Sequence, residues 1–204
     1  MQQTENLPEN WLHCNNHINM IFFDNKRKEL KSMNSTSYTN FQELKLDTSC
    51  IGLSLEEKHE YFCTPLGAEV IGWDNGIHYC FIQGFDETVF AVNPETCCEY
   101  YVYPIAKNFN DFLSLILAAK STNALQQIIQ WNKQQYTDFV TSPDEIAYTF
   151  QTEVRNVLSV IETNLGIVPM QHPFEYVKNL QNTFLYDQII FSDKFYDLTG
   201  VGKP

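Results

Sequence analysis

The clearest pattern of apolar and polar positions runs from Glu69 to Leu117 and predicts a small antiparallel sheet followed at once by an amphipathic helix. Two apolar runs, Ala68 to Trp73 and Ile77 to Ile82, flank Asp74-Asn75-Gly76. Asn-Gly is the dipeptide that best tolerates the positive φ angles of a type I′ hairpin turn, so the two runs should pair directly. Gly84-Phe85-Asp86-Glu87 reverses the chain again into Thr88 to Val92, and Asn93-Pro94-Glu95 turns it toward Tyr100 to Ile105. Four short strands in succession make a meander. Asn108 can then cap a helix whose Phe109, Phe112, Leu113, Ile116 and Leu117 recur at helical spacing on one face. That stripe has the sheet to bury against.

The flanks are less regular. Residues 1–16 are polar and expected to fray, with Trp11 and Leu12 as possible anchors, and Ile18 to Phe23 is an apolar run that periodicity assigns to neither strand nor helix. Met33 to Asn40 reads as a loop and Phe41 to Leu46 as a short strand. Ser54-Leu55-Glu56-Glu57 reads as a helix start, with the serine as cap, Glu57 as its reciprocal partner, and Tyr61 and Phe62 on the buried side. Downstream, Asn123 to Val140 carries an apolar stripe with a polar gap at Asn132. Ser142-Pro143-Asp144-Glu145 combines a cap, a proline at the first helical position and a capping-box acid. From there Ile146, Phe150, Val154, Val157, Leu158, Ile161 and Leu165 keep helical phase up to a stop at Gly166. Pro173 to Asn179 begins another helix, Phe184 to Phe191 fits a strand or a helix, and the tail from Tyr196 to Pro204 should be loose. The fold class is therefore α+β: an antiparallel or mixed sheet with helices packed mainly on one face, extended by C-terminal helices.

Composition narrows the function more than the fold. A chain of 204 residues, 44% hydrophobic and 14% aromatic, has ample material for a core. It holds no apolar run of membrane-spanning length, and its start lacks the basic and apolar blocks of a secretory signal, so a cytoplasmic location is expected. The six cysteines, at 14, 50, 63, 80, 97 and 98, form no Cys-x-x-Cys pair and read as free thiols. Cys80 reads as a small apolar filler, and the adjacent Cys97-Cys98 as a turn feature. The formal net charge is −12, and cations concentrate in Lys26-Arg27-Lys28 and Lys31. Such a balance disfavours nucleic acid as a partner and favours a basic protein, although it also serves solubility alone.

Candidate chemistry is sparse. His13 and His17 are four apart around Cys14, a helical metal-ligand spacing that lacks the glutamate of a His-Glu-x-x-His site, so no metal is expected there. His78 and Cys80 share a strand face, where a nucleophile and base could meet or two core residues could pack. No phosphate loop, dinucleotide fingerprint or Gly-x-Ser-x-Gly is present, and neither a catalytic residue nor a cofactor is assigned. The carboxylates Asp74, Asp86, Glu87, Glu95 and Glu99 fall near strand ends, interleaved with Trp73, Tyr79, Tyr100, Tyr101 and Tyr103. Exposed, they would form an acidic, aromatic interface; the aromatics serve equally well as core. Trp73, Asp74, Tyr79, Asp86, Glu87, Glu95, Glu99 and Tyr101 are the candidate binding residues.

The phrases Ile71-Gly72-Trp73-Asp74-Asn75-Gly76-Ile77-His78-Tyr79, Val102-Tyr103-Pro104-Ile105-Ala106 and Asn108-Phe109-Asn110-Asp111-Phe112-Leu113, in that order, resemble the SMI1/KNR4 superfamily, also called SUKH. The resemblance covers about Leu66 to Ala119 and is one of residue types rather than of a catalytic signature. It departs from the family in lacking a clear amino-terminal helix phrase and in continuing for some 85 residues past the matching helix. It implies an α+β domain over residues 1–120, clearest at 66–119; residues 121–204, which the resemblance does not cover, are expected from their own periodicity as a helical extension packed on it. The implied role is a non-catalytic immunity protein that neutralises a cognate bacterial toxin by binding it. A regulatory scaffold of the same family and a small hydrolase are the alternatives.

Overall fold

The structure, a computed structural model, describes residues 35–56, 59–95 and 99–203. Readings placed on Trp11, Leu12, the His13/Cys14/His17 group, Ile18 to Phe23, the basic cluster at 26–28, Lys31, Met33, Asn34, Glu57, Cys97 and Cys98 lie outside the described residues. The described residues all belong to one compact unit, Ser32–Pro204.

Its centre is the meander: β1 Ala68–Asp74, β2 Ile77–Ile82, β3 Val89–Val92 and β4 Val102–Ala106, antiparallel neighbours in that order. Asp74 pairs with Ile77 and Trp73 with His78 across Asn75-Gly76, whose φ angles of 43° and 89° are those the hairpin turn requires. A bulge between Val70 and Gly72 shifts the β1–β2 register. At that point the backbone of Ser54 exchanges two 2.8 Å hydrogen bonds with Trp73. Gly72 makes the close approach possible, because a Cβ there would lie 2.4 Å from Leu53 Cδ1.

The strands are almost uniformly buried rather than alternating, which follows from both sheet faces being covered. On one face Tyr79, Phe81, Ala91 and Ile105 meet α2, Phe109–Ala119. As the periodicity predicts, Asn108 caps α2 by accepting from the Asp111 N–H at 2.9 Å. Helix α1, Thr36–Glu43, adds Tyr38 and Phe41, whose rings lie 5.1 and 5.4 Å from that of Phe109. On the other face Cys80, Ile82, Phe90, Val92 and Val102 are covered by Cys63 and by the C-terminal segment through Ile189 and Phe195. The Leu66 N–H donates to the Ile190 carbonyl at 2.8 Å, tying the two covering segments together.

Several local expectations are corrected. Thr36–Glu43 is helix rather than loop and strand, because Ser35 accepts from the Tyr38 N–H and Tyr38 and Phe41, three apart, share the buried face. Ser54 bridges to Trp73 instead of opening a helix. The 123–140 stretch is two helices, α3 Asn123–Gln127 and α4 Lys133–Val140. The polar gap at Asn132 is the cap of the second, where Asn132 and Gln135 exchange side-chain-to-backbone bonds of 3.0 and 2.9 Å. The long helix is also two, α5 Pro143–Thr149 and α6 Thr152–Leu165, parted where Gln151 is extended.

That break leaves Ile146 and Phe150 exposed and turns Glu145 inward, where it accepts from the Ser121 hydroxyl at 2.9 Å rather than closing a capping box. It also lets the Tyr148 hydroxyl reach the Cys50 carbonyl at 2.6 Å. Helix α7 spans Pro173–Thr183, and the Phe184–Phe191 run is irregular apart from a single turn at Tyr186–Gln188. The tail, expected to be loose from Tyr196, is helical to Thr199 as the end of α8, Asp193–Thr199, and irregular and exposed over residues 200–203. Among the described residues no helix is long and apolar enough to cross a membrane.

Candidate functional site

The meander distributes the predicted interface residues between two ends and an interior. Its β1–β2 and β3–β4 turns lie at one end of the sheet and the β2–β3 turn, with Asp86 and Glu87, at the other. Glu95 and Glu99 flank the β3–β4 turn and are exposed, with Tyr101 half-buried beside them. Trp73, Asp74 and Tyr79 are interior, exposed by 7%, 5% and 0%, and Tyr103 joins them. Of the two readings left open for these aromatics, burial selects the core for Trp73, Tyr79 and Tyr103 over an exposed rim, because both sheet faces are covered. The ring of Tyr79, for instance, packs 4.9 Å from that of Phe112.

The interior polar groups are nevertheless unusual. Asp74 accepts from the Thr122 hydroxyl, and its carboxyl is pushed up, first by burial, with the side chains of Thr122 and Gln126 offsetting part of that effect. Thr122 has one hydroxyl proton and two oxygens in reach, since the Ile51 carbonyl is 3.2 Å away. Gly52, at a φ of 78°, completes this corner, because a Cβ there would press to 2.4 Å from the Thr122 hydroxyl oxygen.

His78 is fully buried, and among the described residues neither ring nitrogen has a partner in good hydrogen-bond geometry, although the His59 backbone lies close enough to act on it. It stacks on Tyr61 at 5.4 Å with rings nearly parallel, and Trp73 lies 5.3 Å away. Burial brings it down to about 4, the nearby His59 backbone opposing only weakly. Cys80, two residues on, is equally buried, and burial pushes its thiol up. Both side chains are shut off from solvent, and a thiol so placed is a poor nucleophile.

An accessible cavity lies instead between the start of β4 and the C-terminal segment. It has a volume of about 340 Å³ and is walled by Tyr100, Tyr101, Tyr186, Phe191, Phe195 and Tyr196, with Glu99 and Asp187 also lining it. The turn entering β4 is fixed by the Asn93 N–H donating to the Tyr101 carbonyl at 2.8 Å and the Tyr100 N–H donating to the Tyr103 hydroxyl at 3.0 Å. Tyr100 stacks on Tyr186 at 3.9 Å and Phe191 on Phe195 at 4.0 Å, so two ring stacks frame the opening. Burial, then Tyr100 and Glu99, pushes the Tyr186 hydroxyl up to about 12.

Glu99 and Tyr101, two of the candidate binding residues, thus belong to a formed pocket, whereas Asp86 and Glu87 stand at the far end of the sheet. The opposite wall comes from residues that sequence reading passed over, although the density of rings at Phe184, Tyr186, Phe191, Phe195 and Tyr196 was the signal. Compared with family models, curated proteins and solved structures, the chain matches none.

Proposed function

We propose that this chain is a non-catalytic protein-binding module, acting in the cytoplasm as an immunity protein that neutralises a cognate toxin by binding it. The observation that carries the reading is the aromatic pocket bordered by Glu99 and Asp187, a carbon-lined recess with carboxylates and no cation among its lining residues. Tyrosine-rich, well-packed recesses are where interfaces concentrate their binding energy. The resemblance of residues 66–119 to the SUKH superfamily supplies the class of partner. The net charge of −12 adds a long-range attraction for a basic toxin domain, of the kind that competes for a site normally holding phosphate.

The test is binding to a toxin domain encoded beside the gene, over a range of salt. Tight association that weakens as salt rises is the expected result. Tight association independent of salt removes the electrostatic part, and no association removes the function. The regulatory-scaffold reading would instead return several unrelated partners from one cell extract.

A further inference from the structure

The pocket beside β4 has features that go beyond a generic interface. Its volume of about 340 Å³ is at the lower end of the roughly 300–1,000 Å³ range in which proteins hold small ligands. Its walls are mostly rings, and both of its charged lining residues are acidic and exposed: Glu99 ahead of β4 and Asp187 in the C-terminal segment. Neither lysine of the tail, Lys194 or Lys203, is among the lining residues, and Lys203 is paired with Asp193. The hydroxyl of Tyr100 is pushed up by burial, by its hydrogen bond with Glu99 and by the charges of Glu99 and Asp187, so both carboxylates lie near the Tyr100 hydroxyl. Val201, which lines the pocket, and Leu185, Ile190 and Leu198 in the same C-terminal segment are more than half exposed, apolar area suited to a protein surface.

An apolar side chain entering here would strip water from two carboxylates without replacing it. A compact, strongly hydrated ammonium would use the carboxylates but gain less from the rings than a flat cation does. A guanidinium does both, because it is planar, weakly hydrated, stacks on aromatic faces and offers a fork of donors to carboxylates.

We infer that this pocket receives an arginine side chain of the partner, its guanidinium against the Tyr100–Tyr186 stack and its N–H groups directed to Glu99 and Asp187. This rests on the reading of the chain as a binder of a basic protein, and deepens it by naming the group that is gripped.

The experiment uses the full chain with ring-labelled tyrosine and three probes: N-acetyl-arginine-N-methylamide, its neutral citrulline isostere and its lysine counterpart. Saturable shifts of the Tyr100, Tyr101, Tyr186 and Tyr196 ring signals are expected with arginine, weaker ones with lysine and none with citrulline. The double variant Glu99→Gln, Asp187→Asn, altered at exposed positions only, should fold as the parent does and bind the arginine probe roughly five- to thirtyfold more weakly. Equal shifts with citrulline, or none with arginine, overturn the inference. The outcomes also separate it from the wider reading. Capture of a toxin domain by the double variant as tightly as by the parent sinks the arginine pocket and leaves the immunity role. Binding of the arginine probe by a chain that captures no toxin domain does the reverse.

Discussion

At His78 the sheet holds a fully buried imidazole, and the consequence can be measured. An unfolded histidine titrates near 6.5, and His78 in the folded chain near 4. Between those values the unfolded chain binds the extra proton, so stability is fully present above pH 6.5 and declines as pH falls toward 4, by up to about 3 kcal/mol. Asp74 works in the opposite sense. Its folded carboxyl is raised, so its contribution is greatest at low pH and is lost as pH rises through the folded value. Comparing the parent with His78→Phe cancels the Asp74 effect. The variant keeps the stack on Tyr61 and removes two buried nitrogens that lack a partner in good hydrogen-bond geometry, so urea unfolding at pH 7 should find it at least as stable as the parent. At pH 5 it should gain further on the parent, and parallel pH profiles for the two proteins would refute the account. At this scale the sequence was a partial guide. His78 and Cys80 were legible as neighbours on one strand face, but their burial was not, because nothing local announces that Tyr61 will stack on His78 or that a segment more than a hundred residues away will help to cover Cys80.

The element that does so is the C-terminal segment, and α8 is its anchor. Phe195 is 4% exposed and packs with Phe62, Tyr101 and Phe191 over the sheet. Phe195→Ala should cost about 3 kcal/mol, read from the urea midpoint. It should also open Cys80, which is inert in the parent, to a thiol reagent, with the labelled peptide identified by mass spectrometry. A variant that loses the stability without exposing Cys80 would show that other residues hold the cover in place. The meander and α2 were readable because turn chemistry and periodicity agree there, at Asn75-Gly76 and at Asn108. The helices around 123–165 were misjoined because apolar phase survives across short breaks. It is the cap at Asn132 and the extended backbone at Gln151 that divide them, and Asn132 read alone suggests only a polar gap. Helix α1 was hidden by its own cap, since Ser35 with the polar residues after it looks like loop until Tyr38 and Phe41 find Phe109.

For the molecule as a whole, the aromatic residues of the hairpin are committed to the interior, and the recess proposed for recognition is shared between the sheet and the chain's last twenty or so residues. One wall of that recess, through Phe195 and Ile189, is also the cover of the second core. Occupancy and local opening are therefore thermodynamically linked: anything that grips the recess must also fasten the tail. Saturating arginine probe should slow amide exchange from Ile189 to Tyr196 while leaving α6 unchanged, and exchange unaffected by the probe would dissociate the two roles. Were a large partner to bind there, it would act as a clasp on the fold. The uncomplexed chain would be the form that cellular proteases trim first, and the supply of free binder would then be governed by the abundance of what it binds.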